Sequence, residues 1–568
     1  MYIRTTKRQN KNGSVTEYLQ LAHNEWDKKT NRSTVKVLLN LGRKENVDAK
    51  GLERLVTSIK KALGTMNLSG GTNATTSDTH TSIPDMEILS SKSFGGCWLL
   101  DQLWKRLGID DEIKRLLSDK GYEIPIERSL LAMTANRAVD PSSKLSTEYW
   151  VNNETYIEGL TDVSVHQLYR SMDFLVEHEA AIQEAIFFSV ANVMNLEVDL
   201  IYFDTTSTYF EAAPDELESD VENGEAKNND YTLRQYGYSK DKRPDLPQII
   251  IGMAVTKEGI PVRCWVFSGE TADMSMVEQV KKDLNGWRLN RVIWVMDRGF
   301  SSEESCIKLQ RGGGHYIMGE KMRSGKPDID TILSKRGPYT PIREDLSAKE
   351  VIVGDGERRR RYAVVVNQKE AVKDRATREK HLRTLEDKLN ALSALKKKEH
   401  TKAVCALVAH PVYGRYIKLL AGNTPVIDKA KVASEERLDG KYIIKTSDDT
   451  LSLEDIVLGY KQLHDIERGF RVLKSELELR PIYHRKSDRI KAHVLLCWLA
   501  LLMIRIVEID TGMTWFHVRR LLGQVNLVIV KMKEGTVQQC TVLSEEQNNL
   551  FAACKVTPPP KVVDLKPF

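Results

Sequence analysis

The apolar residues of this chain change period near residue 195, and that change restricts its fold more than any other feature. Upstream, "CWLLDQLWKRLGIDDEIKRLL", "IPIERSLLAMTANRAV" and "HQLYRSMDFLVEHEAAIQEAIFFSVANVM" repeat apolar residues every three or four positions, which predicts a helical region over 83–195. Downstream, "VDLIYFD", "LPQIIIGMAV", "IPVRCWVFSG", "RVIWVMDRGF" and "HYIMGE" are short apolar runs bounded by polar residues, the pattern of buried strands. The second and third runs meet at Glu258-Gly259, a hairpin signal. Helical stretches separate the others, so 196–321 reads as a mixed α/β sheet with flanking helices.

With 568 residues the chain is too long for one core. Residues 1–66 read as a basic, strand-rich region, with "TEYLQLA" and "STVKVLLNLG" on either side of the turn "DKKTNR". The Gly/Ser/Thr/Asn stretch 67–82 reads as a flexible linker. From 322 to 452, short alternating strands flank a charged helix from about Lys369 to Thr401, and this stretch reads as an insertion. From 453 to 568 the pattern is helical again and ends in a Pro/Lys tail.

Charge is placed unevenly. Residues 1–63 hold 14 Lys/Arg against 6 Asp/Glu, an excess of +8 in a chain whose net charge is +5. A basic end on a near-neutral body suits a polyanion better than a membrane. The seven Cys are scattered and never spaced as CxxC, so neither a disulfide framework nor a zinc site follows, and a reducing compartment is expected. The apolar run Val494–Ile504 is too short to span a bilayer and reads as a buried helix. The hydrophilic start "MYIRTTKRQNKNG" lacks a signal-peptide core, so a soluble cytoplasmic protein without membrane partners is expected.

Two strands end alike: "YFD" delivers Asp204 and "WVMD" delivers Asp297. An Asp there also serves as a cap or the start of a turn, and the pattern alone leaves both roles open. A third carboxylate comes from "DIVLGYKQLHDIERGFRVLKSELELRPIYH". Read as one helix, it places Tyr460, His464, Glu467, Arg471 and Lys474 on a polar stripe. Ile466, Phe470, Leu473 and Leu477 form an apolar stripe beside it. Two strand Asps and a helix Glu suit two Mg²⁺ ions, with Mn²⁺ as a substitute, for work on a phosphodiester. Tyr460, Arg471 and Lys474 suit phosphate contacts. "RRRR" at 358–361 fits either phosphate contact or a charged turn, and His484 and His493 read as structural groups with a lesser alternative of contacting DNA.

The strand Asp204, the strand Asp297-Arg298-Gly, and the spacing Tyr460…Glu467…Lys474 resemble the DDE transposases of the insertion-sequence four superfamily. The likeness extends to "QYGYSKDKRPDLPQIIIG", "GETADM" and "LRPIYH…RIKAHVLLCWLAL". It implies a ribonuclease-H-like catalytic core interrupted by a strand-rich insertion, with N-terminal α+β and helical DNA-binding regions. It also implies cut-and-paste movement of a bacterial insertion sequence by a nucleoid-associated enzyme. Asp204, Asp297 and Glu467 match its catalytic, metal-holding positions; Tyr460 and Lys474 match DNA contacts, and Arg471 and Arg298 join them. The implied partner is double-stranded DNA, both the terminal inverted repeats of its own element and target DNA, bound by a homodimer. The chain departs from the signature at Leu463, where an Arg is expected; Arg471 or Arg468 is the candidate substitute. The segment 322–452 has no Trp on which a flipped base could stack, only Tyr339, Tyr362, Tyr413, Tyr416 and Tyr442. Two alternatives share the pattern: a metal-dependent nuclease without strand transfer, and a catalytically inactive transposase-derived DNA-binding protein. The intact carboxylate trio argues against the second.

Overall fold

The computed structural model describes residues 2–9, 15–27, 32–43, 86–118, 121, 124–194, 200–211, 233–285, 287, 292–311, 313–323, 327–355 and 359–567. The expected linker 67–82 lies outside them. The chain divides into two compact units, residues 1–83 and 84–568. In the first, β1 (Tyr2–Gln9), β2 (Val15–Asp27) and β3 (Arg32–Arg43) form an antiparallel sheet in chain order.

The second unit opens with β4 (Glu87–Ser93), a strand inside the stretch expected to be helical. The helices Gly95–Arg106, Ile109–Leu117, Ile126–Val139, Val165–Glu177 and Glu179–Met194 then follow. The central sheet begins with β5 (Leu200–Tyr209), and β6 (Gln248–Val255) and β7 (Pro261–Ser268) follow as a hairpin whose turn places Gly259 at φ +74°. β8 (Ile293–Met296) and β9 (His315–Glu320) come next, each after a helix. Four further strands join the same sheet or its neighbourhood: β10 (Thr340–Arg343), β11 (Leu346–Val353), β12 (Arg360–Asn367) and, after the small hairpin β13 (Ile417–Leu420) and β14 (Thr424–Ile427), β15 (Lys441–Thr446). The order is β10-β11-β12-β15-β9-β8-β5-β6-β7, nine strands in one sheet. Only β5–β8 and β8–β9 are parallel pairs, so the sheet is mixed. Four strands from 322–452 thus extend the central sheet, while β13 and β14 form a two-stranded sheet of their own.

Both faces of the sheet are covered, which is why its central strands are apolar runs rather than alternations. Ile201, Phe203, Trp294, Met296 and Met318 pack on one face with the helices Asp273–Asn285 and Glu303–Gln310. Tyr202, Met253, Val295, Ile317 and Ile444 pack on the other with the helix Ser487–Thr511 and the N-terminal helices. That 25-residue helix is long and apolar enough to cross a membrane, contrary to the shorter span expected from its sequence. It is nevertheless 83% buried over its most apolar window and serves as the core helix.

Two stretches differ in secondary structure from expectation. The charged helix is two, Gln368–Leu392 and Lys397–Ala409. Arg378, Leu385 and Leu392, seven residues apart, are its buried seam, and it packs through Leu385 on Tyr416 and Ile417. The C-terminal stretch is not wholly helical. β16 (Asn526–Met532), β17 (Gly535–Cys540) and β18 (Val562–Pro567) form a four-stranded sheet with β4 in the order β18-β17-β16-β4, and the β16–β4 pair joins distant parts of the chain. The "RRRR" stretch is committed internally: Arg359 pairs with Asp449, Arg360 with Glu303 and Arg361 with Glu350, with Arg358 outside the described residues.

Candidate active site

β5 does not end at Asp204, as its sequence suggested. It continues through Tyr209, because β6 keeps pairing with it as far as Gln248 and the β-branched Thr residues fit a pleated surface. What ends beside Asp204 is β8. The two strands run parallel with Phe203 opposite Met296, so Asp204 and Asp297 are the next residues along each. Alternation puts both on the face shared with Tyr202 and Val295, the face that packs against the C-terminal helices. Asp297 occupies the N-cap position of the turn Arg298–Phe300, yet its side chain makes no capping hydrogen bond. The carboxylate is turned to something else.

Glu467 comes from the helix Leu463–Ser475, which is separate from the preceding helix Leu453–Lys461. The single helix read from sequence is broken at Gln462, whose side chain accepts a 2.5 Å hydrogen bond from the buried Tyr202 hydroxyl. The apolar stripe packs as expected, with Ile466, Phe470, Leu473 and Leu477 all buried. The polar stripe is split. Tyr460, His464 and Glu467 line a cavity of about 370 Å³ together with Asp204, Asp297 and Leu463. Arg471 and Lys474 do not line it. Lys474 is held by Asp241 at 3.0 Å, and Arg480 reaches the same carboxylate at 3.3 Å. Arg468, the other candidate for the missing signature Arg, is tied to Glu508 at 3.3 Å.

The Tyr460 hydroxyl donates to Asp297 Oδ1 at 3.3 Å, and burial, together with the charge of Asp297, drives its pKa upward. Its ring stacks on Tyr442, 6.1 Å between centroids, which brings one of the five tyrosines of 322–452 to the cavity wall. Gly319 on β9 makes room for it: a Cβ there would collide with the Tyr460 hydroxyl. Glu467 is 65% exposed, with His464 Nδ1 at 3.3 Å. Asp204 is 21% exposed, and Lys240 Nζ lies 3.5 Å from it while donating to the Thr205 hydroxyl at 2.8 Å. Burial pushes the Asp204 carboxyl pKa up, Lys240 and the Thr205 amide pull it down, and Asp297 adds to the rise. Lys240 and Asp241 were missed from sequence as site residues, although both fall in the quoted stretch "QYGYSKDKRPDLPQIIIG".

A larger cavity of about 840 Å³ continues from Asp297 and Glu467 past Arg298, Lys321, Arg323 and Arg378. Arg323 and Arg378 are paired with Glu435 and Asp439. Among the described residues, no three His, Cys, Asp or Glu side chains stand close enough together to hold a metal ion. Asp204, Asp297 and Glu467 share a cavity wall instead. Their chemistry still suits a hard divalent cation: all three offer oxygen donors, and Asp204 shows the raised pKa of a buried carboxylate beside a second one.

Residues 219–503, half of the chain, match the family described as Transposase DDE domain. Residues 3–70 match the IS1634 family transposase, N-terminal domain. The first match includes Asp297, Tyr460, Glu467 and Lys474 and begins after Asp204. Among solved structures, a piggyBac transposase synaptic complex with hairpin DNA is similar over 75% of this chain and 79% of that one, at 11% identity and a TM-score of 0.33. No curated protein matches the chain.

Proposed function

The chain belongs to the DDE transposase family, and on that premise we propose that Asp204, Asp297 and Glu467 are its catalytic carboxylates, in a ribonuclease-H-like core that cuts DNA at the ends of a mobile element and joins them to a target. The observation that carries this reading is the parallel register of β5 and β8, with both aspartates facing the cavity that Glu467 lines.

The three carboxylates would hold Mg²⁺ or Mn²⁺, two ions per site. Bound there, the ions would neutralise phosphate charge and acidify the attacking hydroxyl. The chain's own groups then align the reaction. Lys240 favours the ionised form of Asp204 against its burial, and Tyr460 fixes the orientation of Asp297. Arg298 and Lys321 hold phosphates along the larger cavity. Lys474 exchanges Asp241 for a DNA phosphate when the substrate arrives.

In the first step a water oxygen bonds to phosphorus, the bond from phosphorus to the 3′-oxygen breaks, and that oxygen takes up a proton. The freed 3′-hydroxyl then bonds to a second phosphorus, expelling another 3′-oxygen, so the number of phosphodiesters is conserved. Alignment carries this transfer, and no protein nucleophile is used. Residues 1–66 and the helices of 83–195 grip the terminal inverted repeats, and two chains act together on two ends.

The test is one incubation. Purified protein meets a plasmid carrying its own gene with native flanks, in Mg²⁺ or EDTA, beside Asp297→Asn. Excised element and joined products that need Mg²⁺, and that fall at least about a hundredfold in the variant, are expected. Cut ends that are never joined would reduce the protein to a nuclease, and DNA binding without cleavage would refute catalysis.

A further inference from the structure

A cavity of about 510 Å³ lies apart from the carboxylates, between the end of the helix Ile126–Val139, the helix Val165–Glu177 and the start of the helix Ser487–Thr511. Its wall gathers Arg137, Lys144, His484 and His493, with Tyr169 and Tyr483 alongside. Arg137 and Lys144 are each only 4% exposed. Lys144 Nζ, Arg137 Nε and His493 Nδ1 are buried with no hydrogen-bond partner. Glu478 is the one acidic residue on this wall; it is exposed, and it meets Arg137 only through its main-chain oxygen, at 3.4 Å.

Unpaired buried cations are costly unless something neutralises them. Here burial and the Arg137 charge suppress the charge of Lys144, His484 and His493 instead. Burial, then Arg137, pushes the Lys144 amine down to about 7. Burial, then Lys144, Arg489 and Arg137, brings His484 down to about 4, and burial, then Arg137, Lys144 and His484, takes His493 well below its ordinary value. A helix core needs no such group at position 144, and a Met there would pack without the cost. The arrangement makes sense if an anion completes it.

The surroundings favour a phosphate that belongs to a nucleic-acid strand. Tyr483, 74% exposed, lines the cavity together with Tyr169, whose ring carries the Arg489 guanidinium at 4.6 Å and meets His484 edge-on, so Tyr483 is the aromatic face offered to a base. Pro481, Tyr483 and His484 are shared with a neighbouring cavity of about 460 Å³ that holds Arg234, Arg480 and Tyr209. Tyr209 ends β5, the strand that carries Asp204, and Arg480 shares Asp241 with Lys474. Cationic and aromatic groups therefore run from the carboxylates to this pocket.

We propose that the pocket formed by Arg137, Lys144, His484 and His493 binds one backbone phosphate of the bound DNA, away from the phosphodiester being cut. This rests on the transposase reading above. The ammonium and guanidinium supply charge-assisted hydrogen bonds to the phosphate oxygens.

The full-length protein and its Lys144→Met variant provide the test, with two probes. The first is inorganic phosphate against chloride at equal ionic strength, read by thermal melting. Phosphate is expected to raise the melting point of the wild type and leave the variant unmoved. In chloride the variant is expected to melt at or above the wild type, because a buried amine without a hydrogen-bond partner has gone. The second probe is a duplex carrying the element's end, read by anisotropy across salt. The slope of log affinity against log salt is expected to fall by about 1 in the variant. A set of duplexes, each with one methylphosphonate, is expected to show a position that weakens the wild type and is silent in the variant.

Unchanged slope with no coupled position, while the duplex still binds, overturns the proposal and leaves the transposase reading intact. Loss of phosphate stabilisation with an unchanged DNA slope also overturns it, since the pocket then takes only a free anion. A wild type that binds no duplex defeats the transposase reading itself, and this proposal with it. The methylphosphonate scan on the wild type stands even if the variant misfolds: a scan without any sensitive position would overturn the proposal.

Discussion

Asp204 carries an electrostatic cost that its neighbours only partly offset. Burial raises its pKa, and Asp297 adds to that, against the pull of Lys240 and the Thr205 amide. A carboxyl whose folded-state pKa is raised destabilises the fold above that pKa, and the penalty disappears once the pH falls below its ordinary value. Without divalent cations, Asp204→Asn is therefore expected to melt above the wild type at pH 7. The difference should close as the pH is lowered through the raised pKa, and Mg²⁺ should stabilise the wild type only. A variant that melts lower at pH 7, with no pH trend, would contradict this account. The acid itself was legible in the sequence as the polar residue after "LIYF". Lys240 was not, because its closeness to Asp204 depends on a chain reversal rather than on spacing. Leu463 was legible as a departure from the signature, and it does line the cavity. The suggested replacements Arg468 and Arg471 do not, for one is paired with Glu508 and the other lies outside the cavity wall.

At the scale of the element, the helix Leu463–Ser475 owes its position to its apolar face. Ile466, next to Glu467, is fully buried, and Gly469 lets the helix come close to Met253 on β6, where a Cβ would stand 3.1 Å from the methionine methyl. Ile466→Ala is expected to cost about 2–5 kcal/mol in denaturant unfolding. Cleavage should suffer beyond that loss of folded protein, since the shift moves Glu467 relative to the strand aspartates. Full specific activity in the folded fraction would show that Glu467 does not depend on this packing. The period of the stripe was readable from sequence, since a helix that buries one side must repeat every three or four residues. The break at Gln462 was not, because Tyr202, its hydrogen-bond partner, lies 260 residues earlier. For a similar reason β16 was read as helix, its partner β4 being more than 400 residues away in sequence, and β17, which pairs with β16, was read as helix with it.

At the scale of the whole molecule, charge separates the two units. The excess of +8 in residues 1–63 falls in the first unit and on the stretch that matches the IS1634 family N-terminal domain. Deleting residues 1–83 is expected to leave the second unit folded, with a near-wild-type melting transition, while weakening binding to the element's end and flattening its salt dependence. An unchanged salt slope after deletion would move the DNA-gripping role entirely to the second unit. The sequence by itself determined the buried character of β5, β6, β8 and β9 and the β6–β7 hairpin, and it named the three carboxylates proposed here as catalytic. These depend on local period and residue type, which a chain carries wherever it goes. Only the tertiary structure decided that β8 lies beside β5 in parallel, that strands from 322–452 extend the same sheet, and that Lys240 faces Asp204. The same is true of the four basic side chains gathered around Lys144, drawn from segments more than 300 residues apart. Such pairings are set by long-range packing of faces, and a local pattern holds no record of which distant face it will meet.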